Sequence, residues 1–330
     1  MRLREKPMEL CLNMSETRVG ISGWRYAPWR GKFYPPKLPQ KEELSFVARC
    51  LNSVEINGSF YSLQHPGCYK QWYDATPDDF IFSVKGSRFI THMKRLKNLE
   101  QAHANFWASG VLRLEDKLGP ILWQLPPNFQ FDKDTLDHFF DELPRCTSDA
   151  AAIAQHHSEF MKDRCWMDIE KDRCIRHAIE IRHESFMSEE FVRLLRRHKI
   201  ALVLADTAGK WPYMEDMTAD FVYARLHGDV ELYTSGYDEK ALDRWARRLK
   251  KWREGSEHPG THCYAPKARP VKRDIYVYFD NDVKTHAPFN AIDLARRLGI
   301  QRDYDRAARE SILTGRPKTR RDSPRSAWRF

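Results

Sequence analysis

The chain of 330 residues carries seven scattered cysteines without a Cys-x-x-Cys pair and no apolar run of membrane-spanning length, which argues against a disulfide scaffold, a zinc ribbon and a transmembrane protein. Its formal net charge is +9, of which +5 sits in residues 301–330, a Pro-containing tail with nine Lys or Arg against four Asp or Glu, so the body is only mildly basic. The opening M-R-L-R-E-K-P-M lacks the apolar core of a signal peptide, and a cytoplasmic protein with reduced thiols is expected.

After a leader expected to be disordered over 1–17, residues 18–24 (R-V-G-I-S-G-W) read as a first strand entering an aromatic, basic loop with Trp29, Arg30, Lys32, Phe33 and Tyr34. A helix is expected over 41–50. Residues 54–61 (V-E-I-N-G-S-F-Y) alternate, with Val54 and Ile56 on one face and Glu55 and Asn57 on the other, the two-residue period of a strand. A helix over 67–75 stops before Pro77. The third strand, 80–89, sets Ser83 and Lys85 opposite Phe82 and Val84 and leaves through the cation-rich R-F-I-T-H-M-K-R-L.

A helix over 99–114 leads to strand 120–126 (P-I-L-W-Q-L-P), and a helix over 132–143 follows. Residues 147–172 read as a helical insertion. The fifth strand, 176–186 (R-H-A-I-E-I-R-H-E-S-F), alternates Ile179 and Ile181 with Glu180 and Arg182. Ser188 is the expected N-cap of a helix over 188–198, with Glu189 and Glu190 placed to complement its dipole. Then come strands 201–207 and 221–228 (F-V-Y-A-R-L-H-G), a helix over 238–253, strand 275–281 (I-Y-V-Y-F-D-N) and a helix over 288–298.

Eight strands interleaved with helices predict an α/β fold, a single (β/α)8 TIM-like barrel over 18–300 with a helical insertion and a basic C-terminal tail. No Gly-rich dinucleotide or P-loop signature follows a strand. In such a barrel, polar residues at the C-terminal strand ends gather at one mouth. That mouth would collect Trp24, Glu55, Asn57, Lys85, Gln124, Glu180, Arg182, Asp206, Arg225, His227, Asp280 and Asn281. Buried charges must be paired, hydrated or turned on a ligand. A purely structural alternative is an internal network in which Glu55 pairs with Lys85 and Glu180 with Arg225.

The ordered motifs V-E-I-N-G-S-F-Y, F-S-V-K-G-S-R-F-I-T-H, L-W-Q-L-P-P, A-I-E-I-R-H-E-S-F, Y-A-R-L-H-G and Y-V-Y-F-D-N-D resemble the domain-of-unknown-function-72 family, the YecE-like proteins, over residues 19–298. The resemblance implies a TIM-barrel-like fold and no established reaction. The family pattern has Asn where this chain has Asp280, which replaces a donor with an acceptor-only carboxylate.

From the residues themselves, the leading expectation is a hydrolase or lyase acting on a phosphate-bearing substrate, nucleic acid included. Lys85, Arg88, Arg182 and Arg225 supply cations, Glu55 and Glu180 an acid/base pair and His227 a further acid. Tyr61, with Trp24, Trp29, Phe60, Tyr233 and Tyr237, offers rings for base stacking. One alternative is a divalent-metal hydrolase or isomerase with Glu55, Glu180, Asp206, His227 and Asp280 as ligands, which Lys85, Arg182 and Arg225 would oppose. A Schiff base on Lys85 is a third chemistry, disfavoured where Glu55 pairs with the amine and keeps it protonated. A non-catalytic RNA- or DNA-binding protein, using the tail and the loop 91–97, is the rival of another class. His65, His92 and His103 read as surface or helix residues.

Overall fold

A computed structural model describes residues 15–256, 262–302 and 304–307. The expected leader up to residue 14, and residues 303 and 308–330 of the expected tail, lie outside the described residues. Eight strands close into a parallel barrel in chain order: β1 Thr17–Ser22, β2 Ser53–Ile56, β3 Ile81–Lys85, β4 Leu118–Gln124, β5 His177–Glu180, β6 Ala201–Asp206, β7 Phe221–Leu226 and β8 Asp274–Phe279. The connecting helices are α1 Glu43–Cys50, α2 Gly58–Tyr61, α3 Pro66–Asp74, α4 Glu100–Ala108, α5 Lys133–Glu142, α6 Thr147–Ala154, α7 Glu189–His198, α8 Glu239–Arg253 and α9 His286–Arg297. Among the described residues no helix is long and apolar enough to cross a membrane.

The two-residue period sorts each strand. Val19, Ile21, Val54, Ile56, Phe82, Val84, Ile179 and Leu204 face outward and pack under the helices, while the alternate residues fill the lumen. That filling is layered. At the N-terminal end Arg176 donates to Asp274 at 2.7 Å and lies over the Phe221 and Tyr276 rings. In the middle, Tyr278 shares its hydroxyl with Ser53 and Ser83, each at 2.7 Å, among Leu122, Ala178, Val203 and Tyr223. The third layer is charged and contains Glu55, Lys85, Glu180 and Arg225.

Several elements are shorter than their apolar pattern predicts, and local hydrogen bonds explain why. The strand expected over 54–61 ends at Ile56, because the Ser59 hydroxyl donates to the Ile56 carbonyl at 3.1 Å and the Lys85 carbonyl at 2.6 Å, turning Gly58–Tyr61 into a helical turn against β3. The strand expected over 176–186 ends at Glu180, and His183 Nδ1 accepts the Ser185 amide to form a turn. The helix expected over 99–114 stops at Ala108. Gly110 sits there at φ +105°, where a Cβ would lie 2.5 Å from the Pro66 Cα, and the chain continues as a tighter turn to Lys117. Ser188 and Asp238 cap α7 and α8 through their side chains, as Ser188 was expected to. Within 147–172 only α6 is α-helical, followed by one 3-10 turn, Glu159–Met161. The described part of the expected tail, 304–307, is a helical turn whose Tyr304 stacks on Phe33.

Candidate active site at the barrel mouth

Arg225 is the centre of the charged layer and is fully buried. Its Nε and one terminal nitrogen grip Glu55 at 3.1 and 2.9 Å, and its other terminal nitrogen meets Glu180 at 2.7 Å. The same guanidinium reaches Asp280 and the Ser22 hydroxyl at 2.9 Å each, and approaches His227 Nε2 at 3.4 Å. The carboxylates are themselves saturated. Glu55 also accepts from Tyr223 at 2.7 Å and from the Ser22 hydroxyl, and Glu180 from Gln124 at 2.8 Å and Arg182 at 3.0 Å. Asn57 reaches the Ser22 hydroxyl at 2.9 Å. Burial would raise the Glu180 carboxyl, but Arg225 and Arg182 outweigh it and hold the group well below the usual range. Burial against Arg225 and His227 has the same outcome at Asp280.

Above this floor opens a cavity of about 960 Å³. The ends of the adjacent strands β3, β4 and β5 form one wall with Lys85, Arg88, Gln124 and Arg182, and the ends of the adjacent β8 and β1 another with Asp280, Asp282 and Tyr26. Arg182 is clamped at 3.8 Å over the Trp211 ring, and Arg88 reaches over the exposed Tyr61. Phe89–Met93 winds as one π-helical turn after β3 and brings His92 to the cavity, the kind of turn that often marks a functional site. Gly86 permits this exit, because a Cβ there would fall 2.3 Å from the Trp123 ring of β4.

Lys85 does not pair with Glu55. The structural alternative is right about Glu180 and Arg225 and fails here, because Arg225, Tyr223 and Ser22 take every Glu55 contact. Among the described residues, the Lys85 amine makes no ion pair or hydrogen bond, and it lies 4.3 Å over the Phe60 ring. Burial first, and then the Arg225 charge, bring it down from 10.5 to about 8 against the pull of Glu55, Glu180 and Asp280.

Asp282 is the opposite case. Its Oδ1 is buried with no hydrogen-bond partner, and burial together with the Asp280 carboxylate pushes the group up from the ordinary carboxylate value, which favours its protonated form. His92 is lowered to about 4 by burial and the nearby Arg182 and Lys85, and is a neutral ring at physiological pH.

Of the expected site residues, Asn57, Tyr61, Lys85, Arg88, Gln124, Arg182 and Asp280 line the cavity. Glu55, Glu180, Arg225 and His227 form its sealed floor. Trp24, Asp206 and Asn281 are elsewhere. Trp24 packs edge-on against Trp72, Asp206 accepts from Tyr237 at 3.1 Å, and Asn281 donates to the Ser235 carbonyl at 3.0 Å. The rings of Trp29 and Tyr237 are buried and cannot stack on a base, whereas Phe60, Tyr61 and Tyr233 face the cavity. His92 is a cavity residue rather than a bystander. Asp282 escaped the sequence reading although it shares strand parity with Asp280 within F-D-N-D. Among the described residues no group of three or more His, Cys, Asp or Glu is arranged to hold a metal ion, and of the carboxylates named for one, Glu55, Glu180 and Asp280 are turned on Arg225 while Asp206 accepts from Tyr237.

The fold has solved counterparts. A DUF72 family protein of Thermotoga maritima superposes with a TM-score of 0.63 at 24% identity, covering 86% of this chain and 99% of that one. One from Enterococcus faecalis gives 0.62 at 17%, covering 87% and 97%. In sequence, UPF0759 protein YecE of Escherichia coli is 33% identical over 127 residues, 38% of this chain and 44% of that one. UPF0759 protein YunF of Bacillus subtilis is 28% identical over 123 residues, 36% and 43%. The matched stretch spans less than half the length of either relative. Residues 18–312, nearly the whole barrel with its polar mouth, match the family described as "Protein of unknown function DUF72", and the chain belongs to that family.

Proposed function

We propose that the mouth cavity binds a phosphate-bearing substrate and that the protein is a hydrolase or lyase working by general acid–base chemistry. The observation that carries this reading is the division of the cavity into two walls. Lys85, Arg88 and Arg182 stand on one, and the carboxyl pair Asp280 and Asp282 on the other. Arg182 is held in a fixed plane by Glu180 and Trp211, which suits it to grip a phosphate through parallel N–H bonds. Asp280 and Asp282 are pushed in opposite directions, the pattern that assigns one carboxyl as a base and its neighbour as a proton donor. In this reading Glu55 and Glu180, expected as the acid/base pair, instead support the site by fixing Arg225, and His227, expected as a further acid, packs 3.1 Å from Asp280.

The test is calorimetric titration with inorganic phosphate, followed by a turnover screen on phosphomonoesters. Wild type should bind phosphate, Arg88→Ala and Arg182→Ala should weaken it, and Asp282→Asn should bind normally but turn over poorly. Absence of phosphate binding in wild type would remove the reading.

A second reading, binding of nucleic acid, has its own observation. The loop beyond the cavity carries Lys94, Arg95 and Lys97 along a groove of about 530 Å³; Lys94 lies over the exposed Phe89 ring, and Tyr61 and Met93 are exposed at the mouth cavity. A backbone-tracking groove next to stackable side chains suits a single strand. Binding of an oligonucleotide that falls steeply with salt and shows no turnover would favour it.

A further inference from the structure

Resting on the phosphate reading, we infer that Lys85 is a covalent nucleophile that forms an imine with a carbonyl-bearing anionic substrate, which makes the chemistry that of a lyase. The geometry is specific to this lysine. It ends β3 on the inner face of the barrel, at the base of the cavity, with its amine over the Phe60 ring and no carboxylate bonded to it. The acidic groups around it, Glu55 from β2, Glu180 from β5 and Asp280 beyond β8, are all held by Arg225 from β7. Burial and the neighbouring Arg225 disfavour a positive charge at the amine, and Arg182 beyond β5 and Arg88 line the same cavity and attract an anionic substrate to it.

The step balances within the site. The neutral amine attacks the carbonyl carbon, and the carbonyl oxygen takes a proton from the Asp282 carboxyl to give a carbinolamine. The nitrogen returns that proton to the Asp282 carboxylate, which passes it to the hydroxyl as this leaves as water, and a protonated carbon–nitrogen double bond replaces the carbon–oxygen one. One water is released and no external oxidant or reductant is needed. The imine then acts as an electron sink for cleavage of a bond next to the former carbonyl carbon.

Reductive trapping tests this. The full-length protein is incubated with pyruvate or glyoxylate and sodium cyanoborohydride, then digested and mapped by mass spectrometry. The expected result is a gain at Lys85 of the probe's mass less one oxygen atom, at a rate well above that of the other lysines. That rate should rise with pH to half-maximum near 8. Lys85→Arg, which retains the cation, and Lys85→Met should both lose that adduct while surface lysines label as before. Labelling of Lys85 no faster than that of exposed lysines overturns the inference. Inorganic phosphate separates this from the parent reading. If phosphate binds but Lys85 does not label, only the imine fails, and if Lys85 labels with no protection or binding by phosphate, the phosphate reading fails while the nucleophile stands.

Discussion

The floor and the wall of the mouth both carry charged side chains, yet they differ in how those charges are satisfied. On the floor every donor of Arg225 has a partner, and Glu55 and Glu180 accept from two or more groups each. On the wall Lys85 has an aromatic ring and no counter-ion, and Asp282 leaves an oxygen unbonded. Burial of charge costs free energy in both places, but only the floor recovers it internally. A wall that carries uncompensated charge toward an open cavity is what a binding site for a charged ligand requires, and it lowers the stability of the unliganded protein.

That contrast can be broken most severely at Arg225. Arg225→Met strands three carboxylates, two of them fully buried, and should cost about 3–5 kcal/mol or prevent folding, read by denaturant unfolding. The opposite sign is expected at Lys85. Its folded value of about 8 lies below 10.5, so the charged amine opposes folding fully below pH 8, and the penalty disappears between the two values. Lys85→Met should therefore stabilise the protein by up to about 3 kcal/mol at pH 7, with the advantage fading as pH rises to 10.5.

Arg182→Ala sits on the boundary. Loss of one charge-assisted contact should weaken phosphate binding roughly ten- to a hundredfold, and Glu180 keeps Arg225 and Gln124, so the fold should survive. Asp282→Asn should be a smaller stabilisation. An acid raised above 3.8 on folding stabilises below that pH and loses the contribution as pH climbs, so the variant should overtake wild type toward neutrality in thermal melts. The smallest effect on stability belongs to the exposed Tyr61. Tyr61→Ala should change unfolding by less than about 0.5 kcal/mol. If the cavity takes a nucleic acid strand, the same change should weaken oligonucleotide binding by about 1–3 kcal/mol.

The barrel was legible because strand alternation in V-E-I-N, F-S-V-K, A-I-E-I-R and V-Y-A-R-L separates helix-facing from lumen-facing residues without any knowledge of partners. The same alternation turned Glu55, Lys85, Glu180 and Arg225 into the lumen, where Arg225 bridges Glu55 and Glu180 and Lys85 lies at the base of the cavity. Element ends were less legible. Ser59, His183 and Gly110 stop their elements through hydrogen bonds or contacts with residues distant in sequence or with a local turn, and apolar periodicity carries no sign of these.

Roles within the layer were decided by the tertiary structure alone. The sequence paired Glu55 with Lys85 and Glu180 with Arg225, yet in the fold the broad guanidinium of Arg225 bridges Glu55, Glu180 and Asp280 together from β7. That allocation leaves the compact Lys85 amine unpaired, and the opposed environments of Asp280 and Asp282 arise from the same placement. A sequence determines which side chains point into the lumen through the geometry of a single strand, whereas which of them neutralise one another depends on distances across the barrel that no single strand contains.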